Sequence, residues 1–182
     1  AQTVLNASGY VVARRQATVS SKITGKVVEI LIEEGMKVEK DQVLARLDDS
    51  NVRGSLELAE AQIASARAAL GETRARLEVA QKEAARIVKL ASDQVATQSN
   101  VDQGEAEVKS LMARLHLQEQ EIAVAEKQLA IWRQQLEDTV IRAPFTGIAV
   151  SKNAQPGEMI SPISAGGGFT RTGIGTIVDM ES

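Results

Sequence analysis

The chain has 182 residues, with 21 Lys and Arg against 24 Asp and Glu, so it is nearly neutral and long enough for one or two domains. It has no cysteine and a single histidine, His116, which excludes a disulfide scaffold, a thiolate metal site and a cysteine nucleophile, and leaves little room for a Ser-His-Asp triad or a multi-histidine metal centre. Aromatics make up 2% of the residues and no basic stripe occurs, so neither an aromatic-lined ligand pocket nor a nucleic-acid platform is expected.

Residues 1–49 read as strands and turns. Val11-Val12, Val19, Val27-Val28, Ile30-Leu31-Ile32, Val38 and Val43-Leu44 are apolar or β-branched clusters, punctuated by Gly25 and Gly35. Residues 50–138 contain no proline and carry the sharpest periodicity in the chain. In the first half Leu56, Ile63, Leu70, Leu77, Ala84 and Ala91 recur every seventh residue, with Ala59, Ala66, Thr73, Ala80 and Ile87 three residues behind them. In the second half Val101, Val108, Leu115, Ile122, Leu129 and Leu136 repeat the pattern beside Gly104, Leu111, Gln118, Ala125 and Trp132. Such a sustained double seam specifies a left-handed coiled coil.

The polar residues from Ser92 to Asn100 separate two helices of similar length, with the tip near 92–98. Ser99 or Asn100 is placed to cap the second helix. Equal arms around a short loop form an antiparallel hairpin, and ~42 residues per arm reach roughly 60 Å. Its alanine-rich first arm buries little per layer, so the outer faces are expected to find neighbours in an assembly. No run of ~18 apolar residues occurs that would span a membrane.

From Thr139 the β character returns in Val140-Ile141, Ile148-Ala149-Val150, Met159-Ile160 and Ile174 to Val178, with turns at Pro144, Gly147, Pro156-Gly157 and the run Gly166-Gly167-Gly168. That run lacks the Lys-Ser/Thr and helix start of a phosphate loop and reads as a flexible loop. The two β segments repeat each other. Thr24-Gly25 matches Thr146-Gly147, Gly35 matches Gly157, and Val38 matches Ile160 at the same spacing. The expected fold is α+β: one pseudo-symmetric β-sandwich with halves at 1–49 and 139–182, split by the coiled-coil hairpin at 50–138. The first residues, Ala1-Gln2-Thr3, and the last, Asp179 to Ser182, both read as cut from something longer.

Two stretches resemble a known family. The first runs from Thr24-Gly25-Lys26-Val27-Val28 through Glu33-Glu34-Gly35-Met36-Lys37-Val38 to Gln42-Val43-Leu44-Ala45-Arg46-Leu47-Asp48. The second runs from Leu136-Glu137-Asp138 through Ile141-Arg142-Ala143-Pro144-Phe145-Thr146-Gly147 to Pro156-Gly157-Glu158. Together with the hairpin between them they resemble the HlyD-like periplasmic adaptors, or membrane fusion proteins, of tripartite efflux pumps and type I secretion systems. The resemblance implies a biotinyl/lipoyl-like β domain and a non-enzymatic role. It also implies that residues 1–9 lead in from a β-barrel domain absent from this chain, and that Gly173 to Met180 leads back to it. A carrier-domain role is excluded on the residues: Leu47-Asp48-Asp49-Ser50, where a modifiable lysine would stand, has none.

By the same resemblance the hairpin tip docks on a TolC-like outer-membrane channel. The matching residues are Arg86, Leu90 and Thr97, with threonine where the family has serine. Read without the family, the same residues look like a solvated flank, a last core layer and a helix N-terminal residue. Gln155, before Pro156-Gly157, is the candidate for a loop that lines the central channel, against an ordinary surface-turn glutamine. His116 reads as exposed and without function, and Trp132 as core near the hairpin base. The expected protein is a periplasmic adaptor held at the inner membrane by a segment outside this chain. It would form a ring of six and link an inner-membrane transporter, ABC-type in preference to RND, to the channel for small-molecule efflux. A type I protein-secretion adaptor and a structural coiled-coil rod are the alternatives. No cofactor, metal or nucleic acid is expected.

Overall fold

The computed structural model describes residues 15–162, 170–171 and 173–179. The expectations for residues 1–9, Val11-Val12, Gly166 to Gly168 and 180–182 lie outside these. The chain divides into a β unit, 1–51 with 134–182, and a hairpin unit, 52–133.

In the β unit the first segment forms β1 (Arg15–Val19), β2 (Gly25–Ile30), β3 (Lys37–Val38) and β4 (Val43–Leu47). The second forms β5 (Val140–Arg142), β6 (Gly147–Lys152), β7 (Met159–Ile160), β8 (Thr170–Arg171) and β9 (Gly175–Asp179). They make two sheets, in the orders β1-β9-β6-β3 and β5-β4-β2-β7-β8. Ile32, Leu44, Ile160, Ile174 and Ile177 are fully buried in the shared core, where each contributes ~1.5–3 kcal/mol relative to exposure. Phe145 is half-buried against it.

The internal repeat is structural, and its two copies are interleaved. β3 pairs with β6, Val38 opposite Gly147, while β7 pairs with β2, Ile160 opposite Gly25. The turns obey the same relation. The Gly35 amide donates to the Ala149 carbonyl at 2.7 Å and the Ala149 amide returns to Met36 at 3.0 Å. In the other copy the Gly157 amide donates to Val27 at 2.8 Å and the Val27 amide returns to Glu158 at 2.9 Å. Both glycines have positive φ, +83° and +93°, which a side chain would strain. Strand β9 is a central strand between β1 and β6, so the stretch expected to lead out of the domain is part of its sheet.

The hairpin consists of α1 (Ser50–Ser92) and α2 (Gln98–Asp138), 43 and 41 residues long. Along α1 the buried or half-buried positions include all eleven seam residues from Leu56 to Ala91, and along α2 all eleven from Val101 to Leu136. His116 is exposed and Trp132 half-buried. No helix among the described residues is long and apolar enough to cross a membrane. The fold is thus α+β, a lipoyl-like β-sandwich interrupted in sequence by a long antiparallel coiled-coil hairpin.

Candidate docking site at the hairpin tip

Three interhelical ion pairs mark one edge of the seam: Arg133 with Glu60 at 3.3 Å, Arg67 with Glu126 at 2.7 Å and Arg74 with Glu119 at 3.4 Å. All six side chains are substantially exposed, so each pair contributes less than ~1 kcal/mol and serves mainly to fix register. Nearer the tip the layers become small. Gly104 lies across from Ala84 and Ile87, where even an added methyl would sit at ordinary contact distance, 3.5 Å from Ala84.

α1 ends in a Schellman motif. The Val95 amide donates to the Leu90 carbonyl at 2.9 Å and the Gln94 amide to Ala91 at 3.0 Å. The turn requires a left-handed residue, and Gln94 fills that position with φ +61°. α2 begins immediately after Thr97, whose hydroxyl accepts from the Asn100 amide at 3.4 Å. Thr97 is therefore the N-cap, and the expectation that Ser99 or Asn100 would cap this helix is corrected. The loop is short enough that the cap falls at its last residue.

The structure places Arg86 and Leu90 one helical turn apart on α1 and Thr97 across the turn. Arg86 is exposed and paired with Glu83 at 3.1 Å. Leu90 lies outside the seam, beside its last residue Ala91, and is 38% exposed, and Val95 across the turn is 74% exposed. The tip thus offers an apolar pair in a ring of polar groups, suited to end-on contact with another protein. Gln155 belongs to the β unit, not the tip. It is exposed in a turn closed by Glu158, whose carboxylate accepts from the Gln155 amide at 3.0 Å and whose own amide donates to the Gln155 carbonyl at 3.2 Å.

Two features escaped the sequence reading. Gln94 gives no turn signal in the sequence, because glycine or asparagine is usual at such a position. The second is an exposed apolar row on α2: Leu117, Val124 and Ile131 recur every seventh residue outside the seam, at 58%, 71% and 50% exposure. The seven-residue spacing was visible in the sequence, but the stronger seam absorbed it. No group of three His, Cys, Asp or Glu able to hold a metal occurs among the described residues.

Residues 15–165 match the CzcB-like barrel-sandwich hybrid domain family. The multidrug resistance protein MdtA of Salmonella heidelberg strain SL476 is 27% identical over 163 residues, covering 90% of this chain and 36% of that protein. MdtA of Erwinia amylovora is 29% identical over 163 residues, covering 90% and 37%. This chain therefore spans about a third of the length of the curated relatives it matches. Among solved structures, MacA from Actinobacillus actinomycetemcomitans superposes with a TM-score of 0.83 at 20% identity, over 92% of this chain and 50% of that one.

Proposed function

The chain belongs to the CzcB-like barrel-sandwich hybrid domain family, and from that footing we propose that it is the reaching segment of a periplasmic adaptor. The adaptor links an inner-membrane transporter, of the ABC or the RND class, to a TolC-like outer-membrane channel for the efflux of small molecules. Its role is to bridge and to conduct, with no catalytic step. The observation that carries this reading is the hairpin tip, where two helices closed by a Schellman turn and a threonine cap leave Leu90 and Val95 exposed at the far end of roughly 60 Å of coiled coil. The relatives' name, multidrug resistance protein, agrees with efflux.

In this reading several copies, six by resemblance, stand side by side as a tube. Support comes from the apolar row of Leu117, Val124 and Ile131, which the hairpin's own seam leaves uncovered. Arg86, Leu90 and Thr97 meet the channel, and Gln155 faces the conduit.

The test places a photo-crosslinker at Thr97 in the full-length protein in its native cells and identifies the adduct by mass spectrometry. An outer-membrane channel protein is the expected partner. Adducts only between copies of the adaptor would replace this reading with that of a structural rod. Leu90→Asp is expected to abolish export while the protein still accumulates in the periplasm, and normal export would remove the tip from the docking role.

A further inference from the structure

The polar groups of the tip are unequally engaged. The Arg86 guanidinium is paired with Glu83, and the Thr97 hydroxyl caps α2. The Ser92 hydroxyl donates to the Lys89 carbonyl at 2.6 Å, and the Gln98 amide donates to Asp102 at 2.9 Å. Gln94 is different. Its side-chain amide is exposed with no partner among the described residues, and its backbone is held left-handed, where glycine would be at ease. That conformation costs a non-glycine residue stability, and glycine would close the same turn without that cost.

We propose that Gln94 is the polar docking residue of the tip, its carboxamide donating to and accepting from exposed peptide groups at the end of an outer-membrane channel, with Val95 as the apolar contact beside it. This rests on the adaptor reading above and assigns to Gln94 the role that the family pattern would give to the Thr97 hydroxyl. Three features fit. The left-handed residue sits at the point of the turn where the chain reverses, an uncharged amide matches both halves of a peptide group, and Val95 is the most exposed large apolar side chain of the hairpin at 74%.

The test uses the full-length protein in its native cells and reads the yield of the Thr97 crosslink to the channel together with the melting temperature of the purified protein. Gln94→Gly removes the amide and relieves the backbone. It is expected to raise the melting temperature while adduct yield falls about tenfold, the size of effect that losing the donated and the accepted hydrogen bond together gives. Gln94→Ala removes the amide without relieving the backbone, and its adduct yield is expected to fall equally with no gain in melting temperature. Parental adduct yield in both variants would overturn the assignment of Gln94. Parental yield in Leu90→Asp, or no channel adduct in the unaltered protein, would overturn the docking reading itself and this inference with it.

Discussion

Gly35 and Gly157 each donate their amide to a strand of the opposite half of the β unit, Gly35 to Ala149 at 2.7 Å and Gly157 to Val27 at 2.8 Å. Each turn is therefore a clamp on the other copy of the repeat, and each needs the left-handed backbone that its glycine supplies. Gly35→Ala and Gly157→Ala are each expected to lower unfolding free energy by about 1–2 kcal/mol in urea titrations, with near-additive loss in the double variant. There is open space around both positions, so backbone strain is the sole cause. An unchanged midpoint would show that the clamps carry no strain.

The other glycine pair of the repeat breaks the symmetry. A methyl at Gly147 would sit 2.5 Å from the Val178 carbonyl oxygen, which is backbone and held in the β6-β9 ladder. A methyl at Gly25 would meet only the Leu47 side chain, Cδ1 at 3.1 Å and Cβ at 3.3 Å, which a shift of a few tenths of an ångström relieves. Gly147→Ala should cost upwards of 3 kcal/mol or prevent folding, and Gly25→Ala about 1 kcal/mol. Equal losses in chemical denaturation would refute the contrast.

The seam can be improved. Gly104→Ala adds a methyl at ordinary contact distance from Ala84 and should stabilise the hairpin by about 0.5–1 kcal/mol through helix propensity. Gln118 has its side-chain oxygen buried in the seam without a partner, so Gln118→Leu is expected to add about 1–3 kcal/mol. Both are read as a rise in the thermal midpoint of the hairpin by circular dichroism. A fall for Gln118→Leu would mean that the amide fixes the pairing of the helices.

Acid weakens the start of α1. The Ser50 hydroxyl, then the Ser50 amide, hold the Asp48 carboxyl below its ordinary value of 3.8, with Lys26 adding attraction. A carboxyl lowered on folding stabilises the fold above its unfolded pKa. That contribution is lost as pH falls below about 3.8 and through the folded value. Asp48→Asn should be less stable than the parent at neutral pH, and the two should converge in acid. A gap between the melting curves that does not narrow would exclude this linkage.

The uncovered row on α2 predicts contact between copies. Val124→Asp places a charge among Leu117 and Ile131 and should weaken self-association of the full-length protein about tenfold or more, measured by sedimentation velocity, while leaving hairpin helicity intact. Undiminished association would move the interface to another face.

Much of this architecture was legible because it rests on period. A coiled-coil seam repeats one rule many times, so Leu56 to Ala91 and Val101 to Leu136 declared their burial without any knowledge of partners. The glycine repeat was legible for a similar reason, since Gly35 and Gly157 do the same backbone work. The interleaving of strands was not, because pairing Val38 with Gly147 depends on long-range closure that no local pattern encodes. Nor was the tip. Thr97 caps α2 because of where the Schellman turn ends, and that turn was hidden by a glutamine standing where glycine is usual.

The interleaved sheets also set an order of events during synthesis. Strands β1 to β4 leave the ribosome with their partners β9, β7, β6 and β5 still unmade, on the far side of the whole hairpin. Only β2 and β4 can pair at once. Helical pairs closed by short loops form in microseconds from local contacts, whereas sheets built from distant segments wait on loop closure. Once zipped, the hairpin brings residues 50 and 138 from opposite ends of an ~89-residue loop to neighbouring strand ends, and the entropy of closing that loop is already spent. A lesion in the seam would therefore be felt first as slow sheet assembly, with half a sandwich exposed to proteases, and only afterwards as a shortened reach.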